Sequence, residues 1–106
     1  MVSDLVSSAS VFVFIKGRVS APKCKFTRQL LGILESQGLA YGRDFLDFDV
    51  LTDYVLRERL KAINSWPTFP QVFVRGRFIG GLDALKASVE DGSFRSMLDD
   101  RDKQHT

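Results

Sequence analysis

Hydrophobic and polar positions divide the first half of the chain into a strand and a helix. Val11-Phe12-Val13-Phe14-Ile15 is an unbroken β-branched and aromatic run, which predicts a strand buried on both faces. From Cys24 onward, apolar residues recur at helical spacing, and Gly38 is a suitable stop. The stretch from Arg18 to Lys23 lies between them and is predicted to be a loop.

The middle of the chain shows a second strand and a second helix. Phe45 to Val50 alternates apolar and polar residues, which predicts a strand with one buried face. Thr52 or Asp53 can cap a helix that runs to about Asn64. The apolar residues of this helix predict its inner face, which would carry Val55, Leu56, Leu60 and Ile63.

The last third predicts a hairpin followed by two short helices. Gln71–Val74 and Phe78-Ile79 flank Arg75-Gly76-Arg77, a pattern typical of a β-hairpin. After Gly80-Gly81, a helix is predicted from about Ala84 to Glu90, opened by Asp83 or a neighbour. A final short helix carries Phe94, Met97 and Leu98. The polar tail from Asp99 to Thr106, including His105, is expected to fray.

The predicted order β-α-β-α-β-β-α defines an α/β fold class. A strand–helix–strand start implies a parallel pair with a right-handed crossover, and the hairpin adds two antiparallel strands. The economical packing is a four-stranded mixed sheet flanked by helices. The 106 residues suit a single domain, with its core between about residues 11 and 98.

Composition excludes several classes of function. The net charge of +2, without a dense basic stripe, argues against nucleic-acid binding, and no apolar run has the roughly 20 residues of a membrane span. The N-terminal residues do not resemble a secretory signal or a transit peptide. A lone cysteine forbids an intrachain disulfide and suits a reducing compartment. We therefore expect an intracellular protein of the cytosol or mitochondrial matrix.

Cys24 is the strongest candidate for chemistry. It lies where a loop meets a helix start, and unpaired N–H groups and the helix dipole favour negative charge there. Lys16, Lys23 and Lys25 are near in sequence, and we expect all these features to lower the thiol pKa and populate the thiolate. The alternative is an inert buried cysteine. Two flanking lysines argue against burial.

Two further motifs follow Cys24 along the chain. In Trp66-Pro67-Thr68-Phe69-Pro70-Gln71, the Phe69–Pro70 bond is a candidate cis peptide, although most X–Pro bonds are trans. In Gly80-Gly81-Leu82-Asp83, the glycines permit a close approach by a ligand before a helix start. Asp83 either caps that helix or binds a ligand ammonium group, and capping is the commoner role.

Two cations, Arg57 and Lys61, lie one helical turn apart. Such a pair either binds a carboxylate or is solvated surface, and spacing alone favours the surface.

Together these motifs closely resemble the monothiol glutaredoxins. That family has a Lys-Gly turn after its first strand, then Cys-Gly-Phe-Ser, Trp-Pro-Thr-Tyr/Phe-Pro-Gln and Gly-Gly-x-Asp. The corresponding residues here are Lys16-Gly17, Cys24-Lys25-Phe26-Thr27, 66–71 and 80–83. The resemblance covers about residues 11–98 and implies the thioredoxin fold in its glutaredoxin form. The motif differs by Lys25 in place of Gly and Thr27 in place of Ser.

The resemblance also implies ligands and partners. It implies glutathione, or a related small thiol, beside Cys24, and a 2Fe-2S cluster shared by two protomers, with Cys24 as metal ligand. By the family pattern, carboxylates of glutathione contact Lys16 and Arg57. Phe69, before the cis Pro70, pairs with its backbone, and its γ-glutamyl end meets Leu82 and Asp83. The partners implied are a second copy of the chain in the cluster-bound state and iron–sulfur client proteins.

Two other functions stay open from the sequence. One is a glutathione-dependent oxidoreductase, in which Cys24 attacks a protein–glutathione mixed disulfide and external glutathione resolves the product. The other is a thioredoxin-like adaptor without redox activity, which the retained cysteine disfavours.

Overall fold

A computed structural model describes residues 2–99. A four-stranded sheet in the order β4-β1-β5-β6 forms its centre, and a separate two-stranded hairpin joins β2 to β3. The elements in chain order are α1 (Val2–Val6), β1 (Val11–Ile15), β2 (Gly17–Arg18), β3 (Ala21–Pro22), α2 (Lys25–Ser36), β4 (Phe45–Asp49), a 3-10 turn (Val50–Thr52), α3 (Tyr54–Ile63), β5 (Gln71–Val74), β6 (Arg77–Gly80), α4 (Leu82–Glu90) and α5 (Ser93–Leu98).

The register of the sheet places β1 between a parallel and an antiparallel neighbour. Val11 lies opposite Phe45 in the parallel strand β4 and opposite Val74 in the antiparallel strand β5. A two-residue turn with positive φ at both Arg75 and Gly76 joins β5 to β6. The predicted mixed sheet and hairpin are therefore confirmed.

Strand β1 is buried along its whole length, as predicted, and divides the core into two layers. Val11, Val13 and Ile15 pack with apolar residues of α2, α4 and α5. Phe12 and Phe14 face the other side and pack with residues of α1 and α3. Each fully buried side chain of this kind contributes roughly 1.5–3 kcal/mol. The sheet is thus held rigidly between helices, and the pocket described below lies at one of its ends.

Helix α1 and the β2–β3 hairpin were not predicted from the pattern. Helix α1 precedes the first predicted strand, and β2 and β3 form a hairpin within the stretch predicted to be a loop. The Lys23 N–H donates to the Lys16 carbonyl at 2.9 Å and closes the base of this hairpin. Gly17 has φ +88, and a Cβ there would lie 2.7 Å from the Ala21 carbonyl oxygen. This position therefore needs glycine.

The second helix begins as predicted but buries fewer residues. Asp53 caps α3 by accepting from the Leu56 N–H at 2.9 Å. Leu60 is fully buried, whereas Val55 is 74% exposed and Ile63 is 57% exposed. The prediction that both face inward is wrong, because α3 contacts the sheet along a stripe narrower than its apolar sequence indicates.

The end regions differ in smaller ways. Strand β4 stops at Asp49, one residue early, because Val50 enters the 3-10 turn. Residues 100–106, including His105, lie outside the described residues, so the frayed tail stays a prediction. Within residues 2–99, no helix combines the length and apolar character that crossing a membrane requires.

Candidate functional site

One cavity of about 510 Å³ collects the predicted site residues. It opens where β1 ends and α2, α4 and the loop before β5 begin. All seven predicted residues line it, and they come from five separate segments: Lys16, Cys24, Arg57, Phe69, Pro70, Leu82 and Asp83. Residues up to 67 positions apart in sequence thus line the same cavity.

The fold holds Cys24 at the N-cap position of α2, half-buried. The thiol makes no capping hydrogen bond, so the N–H groups of the first turn stay available to a thiolate. Burial raises the pKa of the Cys24 thiol, but the N–H groups of Thr27 and Phe26, the Thr27 hydroxyl and the charge of Lys16 outweigh burial. The net direction is downward, as predicted.

Fewer cations lower the pKa of Cys24 than the sequence predicted. Lys16 is the one cation that contributes, and Lys23 and Lys25 do not. The Lys25 ammonium lies over the Phe26 ring, 5.2 Å from its centroid, rather than at the sulfur. Lys23 extends over Gly17, with its Cγ 2.7 Å from where a Cβ of that glycine would stand. Proximity in sequence therefore overstated the influence of both lysines.

The loop before β5 forms the opposite wall. The Phe69–Pro70 peptide bond is cis, which confirms that prediction. The fully buried Gln71 side chain anchors the loop by donating to the carbonyls of Trp66 at 3.2 Å and Thr68 at 3.4 Å. Asn64 Nδ2 in turn donates to Gln71 Oε1 at 2.8 Å. This role of Gln71 was not predicted from the sequence, although a polar residue at the head of a buried strand signals it.

The start of α4 completes the pocket. Gly80 has φ +125, and a Cβ on Gly81 would lie 3.1 Å from the Pro70 carbonyl oxygen. The helix begins at Leu82 with Gly81 as N-cap. Asp83 does not cap it and instead lies exposed in the first turn, on the pocket wall. The helix thus begins two residues before the predicted start at about Ala84, and the Asp83 carboxylate is available to a ligand.

The spacing of the two α3 cations in the sequence had favoured solvated surface over a ligand site. Both Arg57 and Lys61 line the pocket, and Lys61 pairs with Glu58 at 2.8 Å. Gln29 and Lys86 line it as well and were missed. Lys86 lies about one helical turn after Leu82 and Asp83, which is a usable signal, whereas Gln29 has none.

Three buried polar atoms in residues 2–99 have no hydrogen-bond partner, and all belong to this region. They are the side-chain atoms Arg57 Nε, Trp66 Nε1 and Thr27 Oγ1, the last of which has the Cys24 thiolate as its prospective acceptor. Buried donors without partners are rare and costly in folded proteins. Each of the three groups can donate, so the pocket suits a ligand that supplies acceptors, such as a carboxylate or a thiolate.

Comparison with known proteins agrees with this arrangement. The glutaredoxin family model, described as "Glutaredoxin", matches residues 11–79. The chain belongs to the glutaredoxin family. With one cysteine, it is similar to the monothiol glutaredoxins. It is 41% identical over 96 residues to monothiol glutaredoxin-4 of Schizosaccharomyces pombe, covering 91% of this chain and 38% of that protein.

The similarity extends to a second relative and to a solved structure. Monothiol glutaredoxin-4 of Saccharomyces cerevisiae is 47% identical over 87 residues, covering 82% of this chain and 34% of that protein. The chain thus spans about a third of the length of these relatives. A monomeric truncated mutant of Trypanosoma brucei 1-C-Grx1 has a TM-score of 0.76 and 36% identity, covering 94% of this chain and 87% of that structure.

This glutaredoxin offers one strong metal ligand in the pocket. Residues 2–99 contain no group of three or more His, Cys, Asp or Glu side chains able to hold a metal. An iron–sulfur cluster takes four thiolate ligands, and one chain has one. One chain by itself therefore supplies one of the four thiolates that such a cluster takes.

Proposed function

We propose that this chain binds glutathione in the Cys24 pocket and, with a second copy, carries a 2Fe-2S cluster as cargo for assembly and transfer. The observation that carries the proposal is the meeting of all seven predicted residues around one thiol with a lowered pKa. Thiolate is the form of cysteine that ligates iron and attacks disulfides.

Charge and hydrogen-bond groups in the pocket match the functional groups of glutathione. Glutathione has two carboxylates and one ammonium group. Lys16 and Arg57 supply positive charge on one side, and Arg57 Nε is an unsatisfied donor. At the other side, the first N–H groups of α4, at Leu82 and Asp83, suit a carboxylate, and the exposed Asp83 side chain suits the ammonium.

The backbone beside Cys24 suits the peptide part of the ligand. Phe69 and Pro70 line the cavity, and the main chain at Phe69 can pair with an extended tripeptide as a strand would. The glutathione sulfur then lies next to Cys24. Lys16 serves both the ligand carboxylate and the Cys24 thiolate, which couples ligand binding to thiol reactivity.

The number of thiolates that a cluster needs then determines the oligomeric state. Two Cys24 thiolates and two glutathione thiolates supply the four ligands that a 2Fe-2S cluster takes. Cluster binding is thereby linked to dimer formation, because a ligand that binds only the dimer stabilises it. Iron–sulfur client proteins are the proposed recipients, and the cytosol or mitochondrial matrix is the proposed compartment, since the thiol has to stay reduced.

Reconstitution tests this function directly. The purified chain is incubated anaerobically with iron, sulfide and a reductant that is not a thiol, with and without glutathione, and visible absorbance is read. We expect colour only with glutathione, and none in Cys24→Ser. Colour without glutathione, or colour that survives in Cys24→Ser, contradicts the proposal. A colourless chain that still reduces a protein–glutathione mixed disulfide favours the oxidoreductase alternative.

A further inference from the structure

The surface beside Cys24 concentrates positive charge. We call the five cations Lys16, Arg18, Lys23, Lys25 and Arg28 the basic collar. No acidic residue occurs between positions 16 and 34. Four of the five are exposed, and Lys16 is half-buried on the pocket wall.

Contacts in the fold bring the collar together. The hairpin closed by the Lys23 N–H and the Lys16 carbonyl at 2.9 Å places these two residues side by side. Arg28 Nη2 donates to the Pro22 carbonyl at 3.4 Å, and the Arg28 N–H donates to the Cys24 carbonyl at 3.1 Å. Lys16, Lys23 and Arg28 therefore lie on the hairpin side of Cys24, although only Lys16 acts on the thiol itself.

No collar cation forms an ion pair in the described part of the chain. The two ion pairs there join Arg43 to Asp44 and Lys61 to Glu58, outside the collar. The carboxylates of Asp49 and Asp47 contact the hairpin but accept from its main-chain N–H groups, at Gly17 and Val19. Asp47 also lines a small cavity with Arg18, so an anionic partner would meet mainly the exposed Lys23, Lys25 and Arg28.

We infer that the basic collar docks a partner protein that presents acidic side chains around an accessible cysteine. This inference rests on the proposed function, since it names the surface of the client that meets Cys24. A protein fits better than a nucleic acid, because exchange at Cys24 needs a thiol or disulfide on the partner, which a nucleic acid lacks.

The same charges oppose pairing with a second copy in the absence of cluster. A two-fold contact through this face sets the collar against itself, because each residue of a two-fold interface meets its counterpart region on the partner. An anionic cluster with its glutathiones offsets this repulsion, and an acidic client replaces it by attraction. The collar thus favours transfer to a client over a persistent pair of identical chains.

The test uses peptides that trap the encounter at Cys24. Each peptide has one cysteine carrying a 2-thiopyridyl group, flanked by Glu, Lys or Gln residues. The Cys24 thiolate attacks the peptide sulfur, the peptide–thiopyridyl S–S bond breaks, a Cys24–peptide disulfide forms, and thiopyridone leaves with a proton from water. The absorbance of thiopyridone gives the rate. No glutathione is involved, so failure here and failure of glutathione binding are distinguishable.

Electrostatic steering predicts the result. At ~0.01 M ionic strength the Glu peptide reacts about tenfold faster than the Lys peptide. Near ~1 M salt, where the Debye length is about 3 Å, the ratio falls to about twofold or less. Rates are divided by the rate with 2,2′-dithiodipyridine, a neutral disulfide that reports thiol reactivity alone.

Two double variants distinguish the effect of the collar from the effect of the protein's net charge. Lys23→Gln/Lys25→Gln removes two collar charges, and Arg59→Gln/Arg77→Gln removes two exposed charges elsewhere. Arg77 pairs with Val74, which lies opposite Val11 at the far end of β1 from Lys16. We expect the first variant to reduce the preference for the Glu peptide about threefold and the second to leave it unchanged.

Two outcomes overturn the inference. One is equal normalised rates for the Glu and Lys peptides, or an equal loss in both double variants. The other is tight binding of a fluorescent single-stranded oligonucleotide at physiological salt without any preference among the peptides, which assigns the collar to nucleic acid.

Discussion

Replacing Gln71 by Met should loosen the pocket wall that faces Cys24. Gln71 is fully buried and anchors the loop through the Trp66 and Thr68 carbonyls and the Asn64 side chain. Met retains most of the volume but none of the hydrogen bonds. The loop would then keep its attachment to the sheet while losing the bonds that set its position.

The magnitude follows from the three distances. The bonds at 2.8 Å and 3.2 Å have good lengths, whereas the contact at 3.4 Å is weak. Two neutral hydrogen bonds at ~0.5–1.5 kcal/mol each give a loss of about 2 kcal/mol in the free energy of unfolding. Displacement of the loop should weaken glutathione binding about tenfold, which corresponds to ~1.4 kcal/mol.

A control variant with the same loss of stability distinguishes displacement of the loop from general destabilisation. Val74→Ala deletes two methyl groups from a side chain that is 1% exposed, at the far end of β5, and also costs about 2 kcal/mol. Urea unfolding gives the stabilities, and calorimetry gives glutathione affinity. Trp66 is the single tryptophan, so acrylamide quenching of its fluorescence reports the loop. If Gln71→Met matches Val74→Ala in both affinity and quenching, the positioning argument fails.

Three further predictions concern the thiol, the anion clamp and assembly. The Cys24 alkylation rate should rise with pH to a midpoint below about 8.5, because the thiolate is lost only as pH falls through the lowered pKa. Lys16→Gln should move this midpoint up, whereas Lys25→Gln should not. A wild-type midpoint at or above about 8.5 contradicts the assignment. Arg57→Ala should weaken glutathione binding about tenfold, because an Arg–carboxylate pair is charge-assisted, and should reduce cluster retention with the circular dichroism spectrum unchanged; unaltered retention shows that Arg57 is not a ligand contact. The apo chain should elute as a monomer in size-exclusion chromatography, and the coloured species as a dimer that requires glutathione; a coloured monomer refutes the shared cluster, and a Lys25→Gly variant with a much more durable cluster shows that this lysine opposes assembly.

The four strands of the central sheet and helices α2 to α5 could be predicted from the sequence because their causes are local. The β1 run, the cap at Thr52 or Asp53 and the turn at Arg75-Gly76-Arg77 each depend on a few adjacent residues. The structure has the run as predicted, uses Asp53 as the cap and places Arg77 in strand β6. The candidate site residues were found by another route, the resemblance of four motifs to a family. Composition and spacing alone left Arg57 as solvated surface.

The tertiary structure decided which local signals have an effect. Three lysines near Cys24 are equivalent in sequence, yet only Lys16 lowers the thiol pKa, because the 17–22 hairpin and the Phe26 ring direct Lys23 and Lys25 elsewhere. The exposure of Val55 and Ile63 likewise depends on how α3 sits on the sheet.

The pocket itself and the role of Gln71 also needed the fold. Helix α4 and the loop before β5 meet Cys24 only because the order β4-β1-β5-β6 brings distant segments to one end of the sheet. A hydrophobic pattern specifies which residues are buried but not which buried groups face each other. Distances and partners between segments far apart in sequence therefore emerge only from the packed structure.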